Sequence, residues 1–118
     1  MRNFRELQIW KRSFELVNDI YEQSHNLPSD EKFGLKSQIR RSAVSTPSNI
    51  AEACSRRTNK DFSRFLEIAI GSAFELETQL LIAIRVKMLD EKTTTPIIDE
   101  LNLIQRMINA FHSSLKEK

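Results

Sequence analysis

Two pairs of arginines bracket a segment that has the chemistry to hold anions. Residues 40–57 read RRSAVSTPSNIAEACSRR, with Arg40 and Arg41 at the start and Arg56 and Arg57 at the end. Guanidinium groups form paired hydrogen bonds with carboxylates and phosphates. Each pair could therefore hold either an acidic side chain of the protein or an external phosphate.

The second pair is predicted to contact nucleic-acid phosphates, because it precedes a predicted turn and two further basic residues follow it. Basic side chains near a helix C-terminus are also common for dipole reasons alone, so simple capping by the arginines is the alternative. The predicted nucleic-acid-binding residues are Arg56, Arg57, Lys60 and Arg64.

The first pair is predicted to be structural. Projected at about 100° per residue, polar side chains of residues 38–52 form a stripe beside the apolar face. Arg40 or Arg41 is the expected partner of Glu77, whose carboxylate projects toward the apolar side of the third predicted helix. Two carboxylates two residues apart point in different directions, which disfavours acid–base catalysis by Glu75 and Glu77. A solvated polar edge, or a surface shared in an oligomer, is the alternative for the stripe. The predicted polar network comprises Gln38, Arg40, Arg41, Ser45, Asn49, Glu52, Glu75 and Glu77.

Other reactive side chains are few. His25 and His112 have no Cys or His at metal-ligand spacing, and Cys54 lies near an apolar face. There is no glycine-rich phosphate loop, since Gly71 is isolated within a helical pattern. The sequence predicts neither a metal site nor a cofactor and gives no reason to expect an enzyme.

The composition limits the fold class, the net charge and the cellular location of the protein. The 118 residues suit one domain, here taken as residues 1–118, and only 2 Gly and 3 Pro disfavour a β-sandwich or barrel. The balance of 18 basic and 16 acidic residues gives a formal charge of +2, so a basic site must be a local patch. One cysteine, no signal peptide and no apolar run of about 20 residues predict a soluble cytoplasmic protein, away from membranes.

Four amphipathic helices must position these residues. The first opens with a capping box at Asn3 and Glu6 and ends before Pro28; the second runs from about Asp30 to Ser55. The third opens with a capping box at Thr58 and Asp61 and continues to about Leu89, and the fourth begins with Thr95 as cap and Pro96 at its first helical position. The predicted apolar face of the first helix comprises Phe4, Leu7, Trp10, Phe14, Val17 and Tyr21.

Short connections between such helices predict an all-α, antiparallel up-down-up-down four-helix bundle. The second helix is predicted to be continuous but kinked at Pro47, because proline cannot donate to the carbonyl four residues earlier. In this arrangement one end of the bundle is basic. It collects Arg2, Arg5, Arg56, Arg57, Lys60, Arg64, Lys116 and Lys118.

The third helix is apolar over about half of its circumference, more than one bundle core requires. A subunit interface explains the excess, since large exposed apolar patches are uncommon in monomers. A central helix that touches two neighbours is the alternative. The predicted oligomer interface comprises Ile70, Phe74 and Leu81.

Three segments resemble a known family. FRELQIW, LPSDEKFGLKSQIRRSAVSTPSNIAEA and DFSRFLEIAIGSAFELETQL, which span residues 4 to about 83, are similar to the small four-helix-bundle proteins encoded by intervening sequences of bacterial 23S rRNA genes. The accessory protein of diversity-generating retroelements is a relative. The resemblance implies a homopentameric ring without known catalysis, and the retroelement relatives imply binding to nucleic acid and to a reverse transcriptase.

Two residues depart from the family pattern. Ala53 replaces a usual glycine, so the second helix is expected to run on toward Arg56. Lys87 replaces a glycine before the third loop, so the third helix is expected to run longer.

The leading interpretation is a non-enzymatic oligomeric bundle that binds RNA or DNA through phosphate contacts. The alternative is a ring-shaped scaffold for a protein partner, such as a reverse transcriptase, without direct nucleic-acid binding.

Overall fold

The computed structural model describes residues 1–31 and 34–115, and four long helices account for most of them. They are α1 (Gln8–Ser24), α2 (Leu35–Cys54), α3 (Asn59–Arg85) and α4 (Glu91–Leu115). Short 3-10 turns precede α1 and α2 at Phe4–Glu6 and Ser29–Glu31. No strand occurs in the described ranges, so the all-α four-helix prediction is confirmed.

Each helix packs against the next in the chain, and α4 packs back against α1, while the diagonal pairs α1/α3 and α2/α4 do not meet. Across α3 and α4, Glu67 contacts His112 and Glu77 contacts Asn102, so residue numbers rise along one helix as they fall along the other. This contact order is that of antiparallel neighbours and favours the predicted up-down-up-down arrangement.

The α1 helix buries a different face from the predicted one. Its buried positions follow the helical period one step away from the aromatic stripe, while Phe14 and Tyr21 remain exposed. Serines are tolerated on the buried face because each satisfies its own hydroxyl: Ser13 Oγ donates to the carbonyl of Ile9 at 2.7 Å. The prediction is therefore only partly right: Phe4, Leu7, Trp10 and Val17 are partly buried against the core, whereas Phe14 and Tyr21 are exposed. The buried residues of α1 are Ile9, Ser13, Leu16, Ile20 and Ser24.

The α2 helix is continuous through Pro47, as predicted, and Pro47 itself is buried. Two side chains around the proline bond to backbone carbonyls of the preceding turn. Thr46 Oγ1 donates to Ser42 O at 3.1 Å, and Asn49 Nδ2 donates to Ser45 O at 2.9 Å. The kink at Pro47 stays a prediction.

Replacing Pro47 with alanine is expected to change the free energy of unfolding by less than about 1 kcal/mol, although proline in an isolated helix costs about 3 kcal/mol. The regained hydrogen bond is offset by the loss of a buried ring to which the neighbouring helices are packed. Urea denaturation measures the change. Pro96→Ala is the matched control: Pro96 lies inside α4 but is exposed, so it has less packing to lose, and this variant should gain more stability. A gain of about 3 kcal/mol for Pro47→Ala would contradict the expectation.

The α3 helix buries one face, on which Phe65 is only partly covered. The buried apolar residues of this face are Phe62, Leu66, Ala69, Ala73, Leu76, Leu80 and Ala83. The helix ends at Arg85, earlier than predicted. Met88 N–H donates to Ala83 O at 2.8 Å and Lys87 N–H to Ile84 O at 3.0 Å, which is the hydrogen-bond pattern of a Schellman motif. Lys87 takes the left-handed conformation (φ 64°) that a glycine usually supplies, so the helix ends without one. The α2 helix likewise ends at Cys54 despite Ala53.

The start of α4 also differs from the prediction. The helix begins at Glu91, because the carboxylate of Asp90 accepts a hydrogen bond from Thr93 N–H at 3.1 Å and so serves as the cap. Thr95 is inside the helix, where its hydroxyl donates to Glu91 O at 2.7 Å. A carboxylate near a helix N-terminus also interacts favourably with the helix dipole, which a threonine hydroxyl does not match.

Candidate nucleic-acid interface

The basic end of the bundle is assembled by the N-terminal residues. Arg2 N–H donates to the carbonyl of Cys54 at 3.1 Å, which ties the N-terminus to the last turn of α2. The Arg2 guanidinium lies over the rings of Phe62 in α3 and Phe111 in α4, at 5.1 and 5.4 Å from their centroids. Parts of all four helical segments therefore meet at this end, as expected for an up-down-up-down arrangement. Lys116 and Lys118 lie outside the described residues.

A shallow depression of about 300 Å³ opens at this end, between the N-terminus and the connection from α2 to α3. The connection is short because Thr58 starts α3 at once: its Oγ1 accepts a hydrogen bond from Asp61 N–H at 3.1 Å. The capping box predicted from Thr58 and Asp61 is thus confirmed on the threonine side. The depression is lined by Met1, Arg2, Arg56, Arg57, Thr58, Asn59 and Phe62.

Arg56 is already engaged within the protein. Its guanidinium pairs with the Glu52 carboxylate one turn earlier and lies 4.6 Å from the centroid of the Phe65 ring. The hydrogen bond and charge of Arg56, with a smaller contribution from the Ser55 hydroxyl, hold the pKa of Glu52 below its usual range. The pair therefore persists at neutral pH and is lost only when acid protonates the carboxylate. Arg56 orients this corner of the bundle and has less freedom to bind a phosphate than its neighbour.

Arg57 and Lys60 are free to bind an external anion. Both side chains are exposed, and neither forms an ion pair or side-chain hydrogen bond with any residue that the structure describes. Arg64 is exposed one turn further along α3, with its guanidinium 4.8 Å from the centroid of the Phe65 ring. The four predicted residues thus share one end of the bundle but differ in availability.

Part of the predicted polar network forms a hydrogen-bonded cluster between α2 and α3. Ser45 Oγ lies 2.8 Å from Ser72 Oγ, and Asn49 Nδ2 donates to Ser45 Oγ at 2.9 Å. Two small hydroxyl residues allow the helices to approach closely there. Gln38 is exposed at the start of the stripe, and Glu52 at its end forms an ion pair with Arg56.

The first arginine pair does not hold the α3 carboxylates, contrary to the prediction. Arg40 turns toward α1, where its Nε donates to Ser24 Oγ at 2.7 Å and its guanidinium lies 4.4 Å from the centroid of the Tyr21 ring. Arg41 is exposed and has no hydrogen bond or ion pair within the described part of the chain. Its replacement is therefore not expected to destabilise the fold.

Glu77 finds its partners on α4 instead. Its Oε1 accepts hydrogen bonds from Gln105 Nε2 at 2.9 Å and from Asn102 Nδ2 at 3.0 Å. Two amide donors satisfy the half-buried carboxylate without a counter-charge. Glu75 is exposed and has no such contact among the residues described.

An apolar groove between α1 and α2 was missed by the sequence interpretation. We call it the α1/α2 groove; its cavity is about 780 Å³. The signal that could have revealed it is the second helical stripe of α1, from Ile9 to Ile20, which competes with the aromatic stripe for the core. The groove is lined chiefly by Trp10, Phe14, Tyr21, Val44, Pro47 and Ala51.

The α3 helix also presents apolar side chains to solvent. Phe74 and Leu81 are 53% and 50% exposed on the edge next to α4, whereas Ile70 is partly buried against the core. Ile68, Ile82 and Val86 are exposed as well. Two of the three residues predicted for an oligomer interface are thus available for one.

The remaining chemistry of the described residues is limited. No cluster of three or more His, Cys, Asp or Glu side chains within residues 1–31 and 34–115 is arranged to hold a metal ion. Burial raises the pKa of the Cys54 thiol, which makes it a poor nucleophile at neutral pH. None of the helices that the structure describes is both long enough and apolar enough to span a bilayer.

Comparison with known proteins gives a family and similar solved structures. A crystal structure of a protein from the S23 ribosomal protein family of Bacteroides thetaiotaomicron, described as having unknown function, superposes with a TM-score of 0.81 at 27% identity. The match covers 88% of this chain and 97% of that one. Curated proteins yield no match. The sequence model of the 23S rRNA-intervening sequence proteins matches residues 5–110. The chain therefore belongs to the 23S rRNA-intervening sequence protein family.

Proposed function

We propose that this protein is a non-enzymatic, oligomeric helical bundle that binds RNA or DNA through phosphate contacts at its basic end. The observation that carries the proposal is the exposure of Arg57 and Lys60 beside Arg2 and Arg64 at one end of the bundle, without internal partners in the described residues. Unpaired basic side chains gathered at one place attract a polyanion despite a net charge of only +2.

Oligomerisation strengthens this proposal, because a ring would repeat the basic end on one face. The support is the apolar edge of α3 with Phe74 and Leu81, which leaves large side chains in water in the isolated chain. A pentamer is the assembly that the family resemblance implies. Several copies of one weak phosphate site would act together through their high effective concentration.

The double variant Arg57→Ala/Lys60→Ala is expected to lower the salt dependence of binding and to leave thermal stability unchanged. Each lost phosphate contact removes about 0.9 from the slope of log affinity against log salt on duplex DNA. Labelled RNA and DNA are titrated into wild type and variant at several salt concentrations. Lys92→Ala/Arg106→Ala is the matched control, because it removes the same charge from exposed positions elsewhere.

Two results would contradict the proposal. One is the absence of binding by the wild type even at low salt. The other is an equal loss of slope in the control variant, which would mean that overall charge rather than the basic end is responsible. Sequence-independent binding that weakens steeply with salt is the expected behaviour of the wild type.

A protein-interaction scaffold is the second candidate. It is favoured by three further exposed apolar residues of α3, Ile68, Ile82 and Val86. A ring contact along the edge with Phe74 and Leu81 would leave these residues exposed, and large exposed apolar patches often mark a protein interface. A partner protein such as a reverse transcriptase would occupy them. Failure of nucleic-acid binding together with a retained oligomer would support this second candidate.

A further inference from the structure

The α1/α2 groove continues into a basic depression. Tyr21 and Val44 line both, and beyond them the walls are formed by Lys36, Arg40 and Arg41. Glu15 is the one acidic residue among the described residues that line the two cavities. The result is one continuous surface with aromatic rings at one end and positive charge at the other.

We propose that this surface binds single-stranded nucleic acid, with bases stacked on Phe14 and Tyr21 and phosphates held by Lys36 and Arg41. The inference rests on the proposed function, since it names the class of nucleic acid and adds a site separate from the basic end. Aromatic platforms beside basic side chains are how proteins hold single strands without sequence preference.

The aromatic rings are held in place yet open to solvent. Phe14 stacks on Trp10 with ring centroids 4.7 Å apart and an interplanar angle of 21°, but remains 53% exposed. Tyr21 is 39% exposed and is fixed by the guanidinium of Arg40 at 4.4 Å. Pre-oriented rings bind a base with little further loss of side-chain entropy.

The spacing of the two rings lets each of them stack on a different nucleotide. Phe14 and Tyr21 are seven residues apart on α1, which places them two helical turns, or about 10.5 Å, apart on the same side. A duplex cannot use them, because its bases are already stacked and paired inside the double helix. Only an unpaired strand presents base faces to such rings.

The positive charges are suitably distributed for the backbone of that strand. Arg41 is exposed and Lys36 is half-buried, and neither has an ion pair with another described residue. Arg40, whose Nε donates to Ser24 Oγ, adds charge without needing to move. This excess of positive charge favours a polyanion over an uncharged apolar partner.

The single tryptophan reports directly on the groove. Trp10 is the only tryptophan in the 118 residues and lies against Phe14. Titration with unlabelled oligothymidylate should quench its emission, whereas the duplex of oligothymidylate with oligodeoxyadenylate should not. Anisotropy of the labelled forms of both probes gives the affinities.

Phe14→Ala should weaken binding of oligothymidylate about 5- to 150-fold and leave duplex affinity unchanged, and Phe14→Tyr should restore single-strand affinity. Light scattering is measured on the same samples. Equal wild-type affinity for the single strand and the duplex, or no effect of Phe14→Ala, overturns the proposal. A smaller oligomer for Phe14→Ala also overturns it, because the groove would then be an interface between copies.

The two sites fail in distinguishable ways. If Arg57→Ala/Lys60→Ala weakens binding of both probes while Phe14→Ala weakens neither, the groove is wrong and the basic end stands. If single-strand binding and Trp10 quenching survive the double substitution and the wild type itself binds no duplex, the groove stands and the basic end is wrong. Absence of all binding overturns both.

Discussion

If the protein forms the proposed oligomer, Phe74→Glu is expected to convert it into a monomer of 13.8 kDa that remains folded. Phe74 is 53% exposed in the single chain, so a carboxylate there is solvated in the monomer and costs the fold little. In an assembled interface the same carboxylate would be buried without a partner, at a cost of several kcal/mol per contact. The dissociation constant should therefore rise by several orders of magnitude.

Light scattering at micromolar concentration measures the mass, and thermal unfolding checks the subunit. Ile68→Glu is the matched control: it makes the same kind of change on the same helix, at another exposed apolar position. A wild-type mass of one chain would contradict the oligomer. Dissociation by Ile68→Glu but not by Phe74→Glu would place the interface at the other edge of α3.

Ile20→Ala is expected to lower the free energy of unfolding by about 2–5 kcal/mol, the largest effect of any single substitution proposed for the fold. Ile20 is 0% exposed, and removing its side chain leaves a cavity between α1 and the other helices. Phe14→Ala, six residues earlier, should cost only about 1 kcal/mol, chiefly from its stacking on Trp10.

Urea denaturation of the two variants compares the two faces of α1 directly. The expected signature is a large fall in the midpoint for Ile20→Ala, with an unchanged slope against denaturant. A larger loss for Phe14→Ala would show that the aromatic stripe, rather than the stripe with Ile20, faces the core.

The core could be predicted from the sequence wherever one apolar stripe was available. On α3, Leu66, Leu76 and Leu80 lie within one wide apolar arc, and these residues are buried although the edges of the arc are exposed. On α1 two adjacent stripes share the helical period, and the prediction followed the aromatic one, whose Phe14 and Tyr21 remain exposed. The periodicity of apolar residues cannot rank two such stripes, because the choice depends on which one fits the space that three other helices leave.

The basic end was predictable for a different reason. Its members are close because short connections bring helix ends together, which depends on chain order more than on side-chain detail. The partner of Glu77 was not predictable in this way. It depends on how α4 is rotated against α3, which brings Asn102 and Gln105 to the carboxylate. Arg40, on α2, contacts α1 instead. Charge alone favoured the arginine, but a pair of amides satisfies the same oxygen.

The order of helix contacts has a consequence for how the chain assembles. Three of the four helix pairs join neighbours in the sequence, and such local pairing is typical of domains that fold in microseconds to milliseconds. The α1/α4 pair is the exception, because its bonds, Arg12 to Glu100 and Gln23 to Thr94, join residues 88 and 71 positions apart. Closing so long a loop carries the largest entropic cost of the four pairings.

That pairing is therefore expected to form last. Arg2 reaches both the end of α2 and the ring of Phe111 near the end of α4, so its contacts can be completed only when the first and last helices are in place. The α1/α2 groove needs no such closure, since its walls come from adjacent segments. A partly folded chain would thus carry the groove before it carries a finished basic end.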